Sequence, residues 1–255
     1  MTPLVSATYA AVIMLSALSC ATAVFGVALA LRLRENPRAL AIGIGFSAGL
    51  MIVIAVVELI PKAVAAMGAV ATVGAAVAGA VLIWAGHVLI PHTHLVAEHG
   101  IADKAAIRAA YLVPLGLVLH DVPEGFAMAN AYVASPALGV LVAMAIALHN
   151  LAEEFAMAVP LVMLRSRAAL YGAAFISALA EPVGAVVGLA AVGVAPALNA
   201  YFLAFAGGAM LFVSVHELVP MAKRYREPVL LLQGMALSAL VYALLAGMTV
   251  GLAGP

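Results

Sequence analysis

The sequence predicts an all-α polytopic membrane protein of about eight transmembrane helices, on the basis of its composition and its hydropathy pattern. Of the 255 residues, 67% are hydrophobic and 9% are charged, and the mean hydropathy is +1.22. Soluble domains are about half apolar and a quarter charged, so this chain has too few polar residues to cover a folded domain in water. The chain consists of apolar runs, each near or above the roughly 20 residues that cross a bilayer, together with the short breaks between them.

Short polar or Pro/Gly-containing breaks separate the predicted spans, so residues 1–255 are interpreted as one transmembrane domain. The spans are residues 5–31, 39–61, 70–90, 111–132, 137–163, 168–193, 197–221 and 229–252. The longest break, residues 91–110, is a predicted cytoplasmic loop. It contains three histidines, which could hold metal loosely or simply face solvent: His92, His94 and His99.

The basic residues predict the orientation in the membrane. Of the 11 Lys and Arg residues, all except Lys62 lie in the odd-numbered breaks. Because Lys and Arg accumulate on the cytoplasmic side, the odd breaks are predicted to be cytoplasmic and both termini to lie outside. The formal net charge is zero, which argues against a nucleic-acid partner.

Two segments resemble each other and indicate an internal repeat. Residues 47–63 read SAGLMIVIAVVELIPKA and residues 206–222 read AGGAMLFVSVHELVPMA, which aligns Gly49 with Gly208 and Glu58 with Glu217. The segments lie in spans two and seven, which cross the membrane in opposite directions. Spans 1–3 and 6–8 are therefore predicted to be inverted copies around spans four and five. Chance similarity between two apolar helices is the alternative.

Spans four and five carry the residues with the clearest chemistry. Each places a histidine and a glutamate four residues apart, His120 with Glu124 and His149 with Glu153. One helical turn separates the members of each pair, so both side chains lie on one face. Ionisable residues at bilayer depth are costly and usually functional. Two facing helices would supply two imidazoles and two carboxylates, which suit zinc and neighbouring divalent ions. A packing role is the alternative for any one of them alone.

Further polar residues adjoin these two motifs. Asp121 and Asn150 each follow one of the histidines and turn about 100° away from it. They could line a second, adjacent site together with other acids of the two spans, namely Glu124, Glu153 or Glu154.

Acidic residues and one histidine in other spans are further candidates. Glu181, in the middle of span six, could be a ligand from a third helix or a structurally paired carboxylate. Glu58 lies toward the outer end of span two, and His216 and Glu217 lie toward the cytoplasmic end of span seven. These three fit the entrance and the exit of an ion path, with capping or interfacial roles as the alternative.

At these residues the chain resembles the bacterial branch of the ZIP family of divalent metal transporters. The segments that carry the resemblance are HDVPEG at residues 120–125, AIALHNLAEEFAMAVP at 145–160, SAGLMIVIAVVELIP in span two, ALAEPVGA at 178–185 and SVHELVP in span seven. The resemblance implies a 3+2+3 inverted-repeat fold, a metal site between spans four and five, a homodimer and a bacterial inner membrane. It implies metal binding by His120, Asp121, Glu124, His149, Asn150, Glu153 and Glu181, with His216 and Glu217 in the pathway.

Three positions depart from the family pattern. Asp121 stands where the family usually has Asn, Ala152 replaces a proline, and Glu154 replaces a glycine. An additional carboxylate near the site is predicted to favour Mn²⁺ or Fe²⁺ more than a nitrogen-rich site would.

The predicted function is import of a divalent transition metal into the cytoplasm, with Zn²⁺ first and Fe²⁺, Mn²⁺ and Cd²⁺ as further candidates. The metal is cargo; no prosthetic group and no enzyme activity are predicted. One alternative is an intramembrane metalloenzyme that uses the same ligands for a catalytic zinc. The other is a proton-coupled carrier of an organic solute, with the acids as a proton relay.

Overall fold

The computed structural model describes residues 3–33, 36–89, 102–163, 167–220 and 227–253, and these ranges are helical almost throughout, with no strand among them. The prediction of an all-α polytopic membrane protein is confirmed. The histidines of the loop at 91–110 lie outside the described residues. The helices are α1 Pro3–Leu33, α2 Pro37–Met67, α3 Ala69–Leu89, α4 Ala102–Ala134, α5 Pro136–Met163, α6 Arg167–Val194, α7 Pro196–Leu218 and α8 Pro228–Ala253.

Six of the described helices are long and apolar enough to cross a membrane, namely α2, α3, α5, α6, α7 and α8. Helix α1 contains two further apolar stretches among the described residues, Ala7–Leu18 and Val24–Leu33. The apolar stretches of α2 and α5 are 61% buried, whereas those of α3 and α8 are 17% buried. Helices α2 and α5 therefore lie inside the bundle, while α3 and α8 present most of their surface outward.

Local sequence signals explain where α2 begins and ends. The Asn36 side chain accepts hydrogen bonds from the backbone N–H groups of Arg38 and Ala39, both at 3.1 Å, and Pro37 occupies the first turn. These are an N-cap and a proline that needs no N–H partner. Gly68 follows the last residue of α2 with φ 81°, which a glycine adopts without strain.

Helices α2 and α7 each contain one π-helical segment. In α2 it covers Ile54–Leu59 and in α7 it covers Ser214–Leu218. A π-helical turn admits an extra residue and thereby changes which face of the helix the following side chains occupy. Glu58 and Glu217, which the repeat aligns, each lie inside one of these segments.

The packing partners of the helices support the predicted inverted repeat. Helix α2 packs mainly against α8 and α7 against α3, while α1 packs against α5 and α6 against α4. If helices 1, 2, 3 and 4 are exchanged with helices 6, 7, 8 and 5, the α2–α8 pairing becomes the α7–α3 pairing. The α1–α5 pairing likewise becomes the α6–α4 pairing. The aligned glycines agree, because an added Cβ at Gly49 would overlap Ser238 of α8 and one at Gly208 would overlap Ala76 of α3.

Candidate metal centre

Four side chains from α4 and α5 converge inside the bundle, and we call them the central cluster: His120, Glu124, His149 and Glu153. His120 Nδ1 lies 3.0 Å from Glu153 Oε1, and His149 Nε2 lies 3.0 Å from Glu124 Oε1 and 3.5 Å from Glu153 Oε2. All four are at most 2% exposed. Each histidine therefore pairs with a carboxylate of the other helix. It also shares a face with the glutamate that lies one turn further along its own helix.

The central cluster has the dimensions of a divalent-cation site. Ligand atoms of Glu124, His149 and Glu153 all lie within 4.8 Å of one another. Zinc holds imidazole nitrogens and carboxylate oxygens at roughly 2.0–2.2 Å, so small side-chain rotations would bring these three atoms around one ion. Among the described side chains, Glu124 Oε2 and His149 Nδ1 are buried without a hydrogen-bond partner. Such atoms are costly to bury unsatisfied, and both are potential ligand atoms.

Glu217 of α7 contacts one member of the central cluster, His120. Its Oε2 lies 2.9 Å from Nε2 of His120, so each imidazole nitrogen of His120 faces a carboxylate. A nitrogen that binds a metal must be free of its proton, and a cation would therefore displace a proton from this pair. The sequence placed Glu217 toward the cytoplasmic end of span seven; in the structure it lies in the π-helical segment and its carboxylate contacts His120.

The residues that could line a second site are divided between two contacts. Asn150 Nδ2 donates to Glu181 Oε2 at 3.1 Å, which links α5 to α6. Asp121 and Glu154 instead both contact the Ser177 hydroxyl of α6, at 2.6 and 2.5 Å. Ser177 is a site residue that the sequence reasoning missed. Its available signal was its position one helical turn before Glu181 on the same face of α6.

Two glycines let α6 approach α4 closely enough for these contacts. An added Cβ at Gly125 would overlap the backbone carbonyl of Glu181, and one at Gly184 would overlap the carbonyl of Val122. Small residues allow helix backbones to come together in membranes. The glycine of the HDVPEG motif thus allows the α6 backbone at Glu181 to lie against α4 at that motif.

Two predicted pathway residues have partners outside the central cluster. Glu58 accepts hydrogen bonds from Tyr242 of α8 and, at 2.5 Å, from Lys62 one turn along α2. His216 is exposed, and its ring stacks on Phe212 with the centroids 4.7 Å apart.

This helical membrane bundle buries imidazole and carboxylate side chains together, which is typical of membrane proteins that handle metal cations. The family model described as the ZIP zinc transporter matches residues 85–253. A zinc transporter ZupT of Chlorobium luteolum is 35% identical, covering 93% of this chain and 98% of that protein. The ZupT of Chlorobium chlorochromatii is 37% identical, covering 75% and 80%, and the zinc transporter GufA of Myxococcus xanthus is 39% identical over 56% of each.

The chain belongs to the ZIP zinc transporter family. The predicted bacterial-type ZIP relationship is confirmed, and so is the prediction of a transporter rather than an enzyme. It is a multi-pass membrane protein whose family carries divalent metal ions.

Proposed function

We propose that this protein carries Zn²⁺ into the cytoplasm through the central cluster, with Fe²⁺, Mn²⁺ and Cd²⁺ as further substrates. The convergence of Glu124, His149 and Glu153 within 4.8 Å is the observation that carries the proposal. Two imidazoles with two carboxylates are a mixed nitrogen and oxygen set, which suits zinc and its neighbours among the divalent metals. The named zinc transporters to which the chain is similar support the same cargo.

The helix packing suggests how the ion crosses. Helices α1, α4, α5 and α6 pack mainly against one another, and α2 with α8 and α3 with α7 form a second group. We infer alternating access by relative motion of these two groups. The contact between His120 and Glu217 crosses their boundary, so it would break and form again during each cycle.

The route is inferred from the distribution of charge. With the odd-numbered breaks cytoplasmic, the ion would enter on the side of Glu58 and leave past Glu217 and His216. Assembly into a homodimer is likewise a proposal, for which the outward faces of α3 and α8 offer apolar surface.

The test is radiometal uptake by the purified full-length protein in proteoliposomes. We expect His120→Ala and Glu153→Ala to lower zinc uptake by at least about tenfold, because loss of a ligand or its hydrogen-bonded partner weakens metal binding by that order. The matched control is Glu227→Ala, which removes an exposed carboxylate at the start of α8. Equal zinc uptake by the wild type and all three variants would refute the proposed site. Zinc uptake by the wild type that is no faster than uptake by empty liposomes would refute the proposed function.

A further inference from the structure

Ser177 of α6 lies between two carboxyl groups that belong to the metal-site motifs without joining the central cluster. Its Oγ is 2.6 Å from Asp121 Oδ2 on α4 and 2.5 Å from Glu154 Oε1 on α5. All three residues are buried, between 3% and 4% exposed. One hydroxyl group therefore connects three helices immediately beside the central cluster.

The position of Glu154 is restricted on its other side by α1. Gly26 approaches so closely that an added Cβ would lie 2.6 Å from the Cβ of Glu154. The Glu154 side chain is thus enclosed between the α1 backbone and the Ser177 hydroxyl. Glu154 follows Glu153 directly, about 100° around α5, so its side chain leaves the neighbouring face of the helix and its carboxylate contacts Ser177.

We propose that Ser177 is a positioning residue that determines metal specificity. Its hydroxyl contacts both Asp121 and Glu154, and it thereby holds the Glu154 carboxylate away from the central cluster. This inference rests on the proposed function. A cation held by Glu124, His149 and Glu153 then has a mixed nitrogen and oxygen ligand set, and the Glu154 carboxylate is kept out of it. Nitrogen-containing sets favour Zn²⁺, whereas added carboxylate oxygens favour Mn²⁺.

The proposal changes the expectation for the acid that replaces the family's usual glycine. From the sequence, Glu154 was expected to shift the site toward oxygen-preferring metals. In the structure its carboxylate contacts Ser177, and the ligand triangle of Glu124, His149 and Glu153 does not include it. The preference for zinc would accordingly depend on a hydroxyl that is not itself a ligand.

The experiment compares zinc and manganese in the full-length protein, using equilibrium binding in detergent and competitive uptake in proteoliposomes. Ser177→Ala releases Glu154, and we expect the zinc-to-manganese affinity ratio to fall about tenfold. Ser177→Thr keeps the hydroxyl, so its zinc-to-manganese affinity ratio should stay within about twofold of the wild-type ratio. The double variant Ser177→Ala/Glu154→Gln removes the released charge and should also restore it.

Controls separate positioning from general damage. Ser238→Ala deletes another buried hydroxyl, whose hydrogen bond among the described residues goes to the Met235 carbonyl of its own helix, and it should leave the ratio unchanged. Ser177→Cys keeps the side-chain volume with a weaker donor, so it serves as the second test if the alanine variant does not fold; its ratio should fall in the same direction.

An unchanged ratio in Ser177→Ala and Ser177→Cys would overturn the inference, as would a double variant that stays shifted. If the wild-type protein neither binds nor transports zinc, the proposed function fails instead. If the wild-type protein transports zinc and every Ser177 variant has the wild-type zinc-to-manganese ratio, only the proposed role of Ser177 is refuted.

Discussion

The π-helical segments of α2 and α7 contain the same acidic residue in surroundings that differ completely. In α7, Glu217 is 8% exposed and its carboxylate lies 2.9 Å from His120 in the central cluster. In α2, the aligned Glu58 accepts hydrogen bonds from Tyr242 and Lys62. The two aligned segments thus share the backbone irregularity and the carboxylate, while the partner of the carboxylate differs.

The difference indicates what decides whether an intramembrane carboxylate can serve a cation. Lys62 already supplies a positive charge to Glu58 from the same helix, so a cation that binds Glu58 must compete with a tethered ammonium group. Glu217 faces an imidazole, which can release a proton and bind the metal itself. The two halves of the bundle should therefore respond very differently to the same substitution.

The largest expected effect is that of Glu217→Gln compared with Glu58→Gln. The first replaces the carboxylate at His120 Nε2, and the apparent affinity for zinc should fall about 10- to 100-fold, as for other groups that orient metal-binding histidines. Glu58→Gln should change it less than about threefold. Initial rates of zinc uptake against zinc concentration give both values. Similar losses in the two variants would show that the aligned residues play equal roles in transport.

The next effect tests whether the two halves pack alike. Gly49→Ala and Gly208→Ala place a methyl group where it overlaps Ser238 and the backbone of Ala76. Overpacking of this kind costs about 1–3 kcal/mol, and both variants should lower the thermal unfolding midpoint in detergent. Gly74→Ala is the matched control, because nothing lies within 4 Å of its added Cβ. A loss of stability at only one of the two aligned glycines would argue against equivalent packing.

The sequence was sufficient for the helices and for the central cluster. Length and apolarity fix where helices can lie in lipid, and a spacing of four fixes which side chains share a face. His120, Glu124, His149 and Glu153 could be selected for this reason. Their crosswise pairing could not, because it depends on the rotation of α4 relative to α5, which the residue spacing does not specify.

The other contacts depend on geometry that the residue pattern does not encode. The π-helical segment that contains Glu217 lies in an apolar run whose sequence is that of an ordinary helix. Ser177 is a serine in an apolar helix, where a bond to its own backbone is the common outcome. Tyr242 lies 184 residues from Glu58 in the chain. Only the tertiary arrangement shows that these side chains meet.

At Tyr242 the effect is expected to be confined to stability, with hardly any change in the handling of zinc. Tyr242→Phe removes the hydroxyl that donates to the Glu58 carboxylate, a hydrogen bond to a charged group worth about 1.5–3 kcal/mol. The unfolding midpoint should fall, while the KM for zinc stays within about twofold of wild type. Tyr201→Phe removes an exposed hydroxyl and serves as the control. A KM raised as far as in Glu217→Gln would place Glu58 among the groups that bind the ion.

The smallest effect is expected at Lys62, whose side chain is 44% exposed. An exposed ion pair one helical turn apart contributes about 0.3–0.5 kcal/mol, so Lys62→Gln should barely change stability. It removes the positive charge nearest Glu58, and if the ion enters on this side, zinc uptake below KM should rise by up to about twofold at low ionic strength. Salt screens such a charge, so the gain should disappear near 1 M salt. A gain that persists in high salt, or no gain at low salt, would move the entrance away from Glu58.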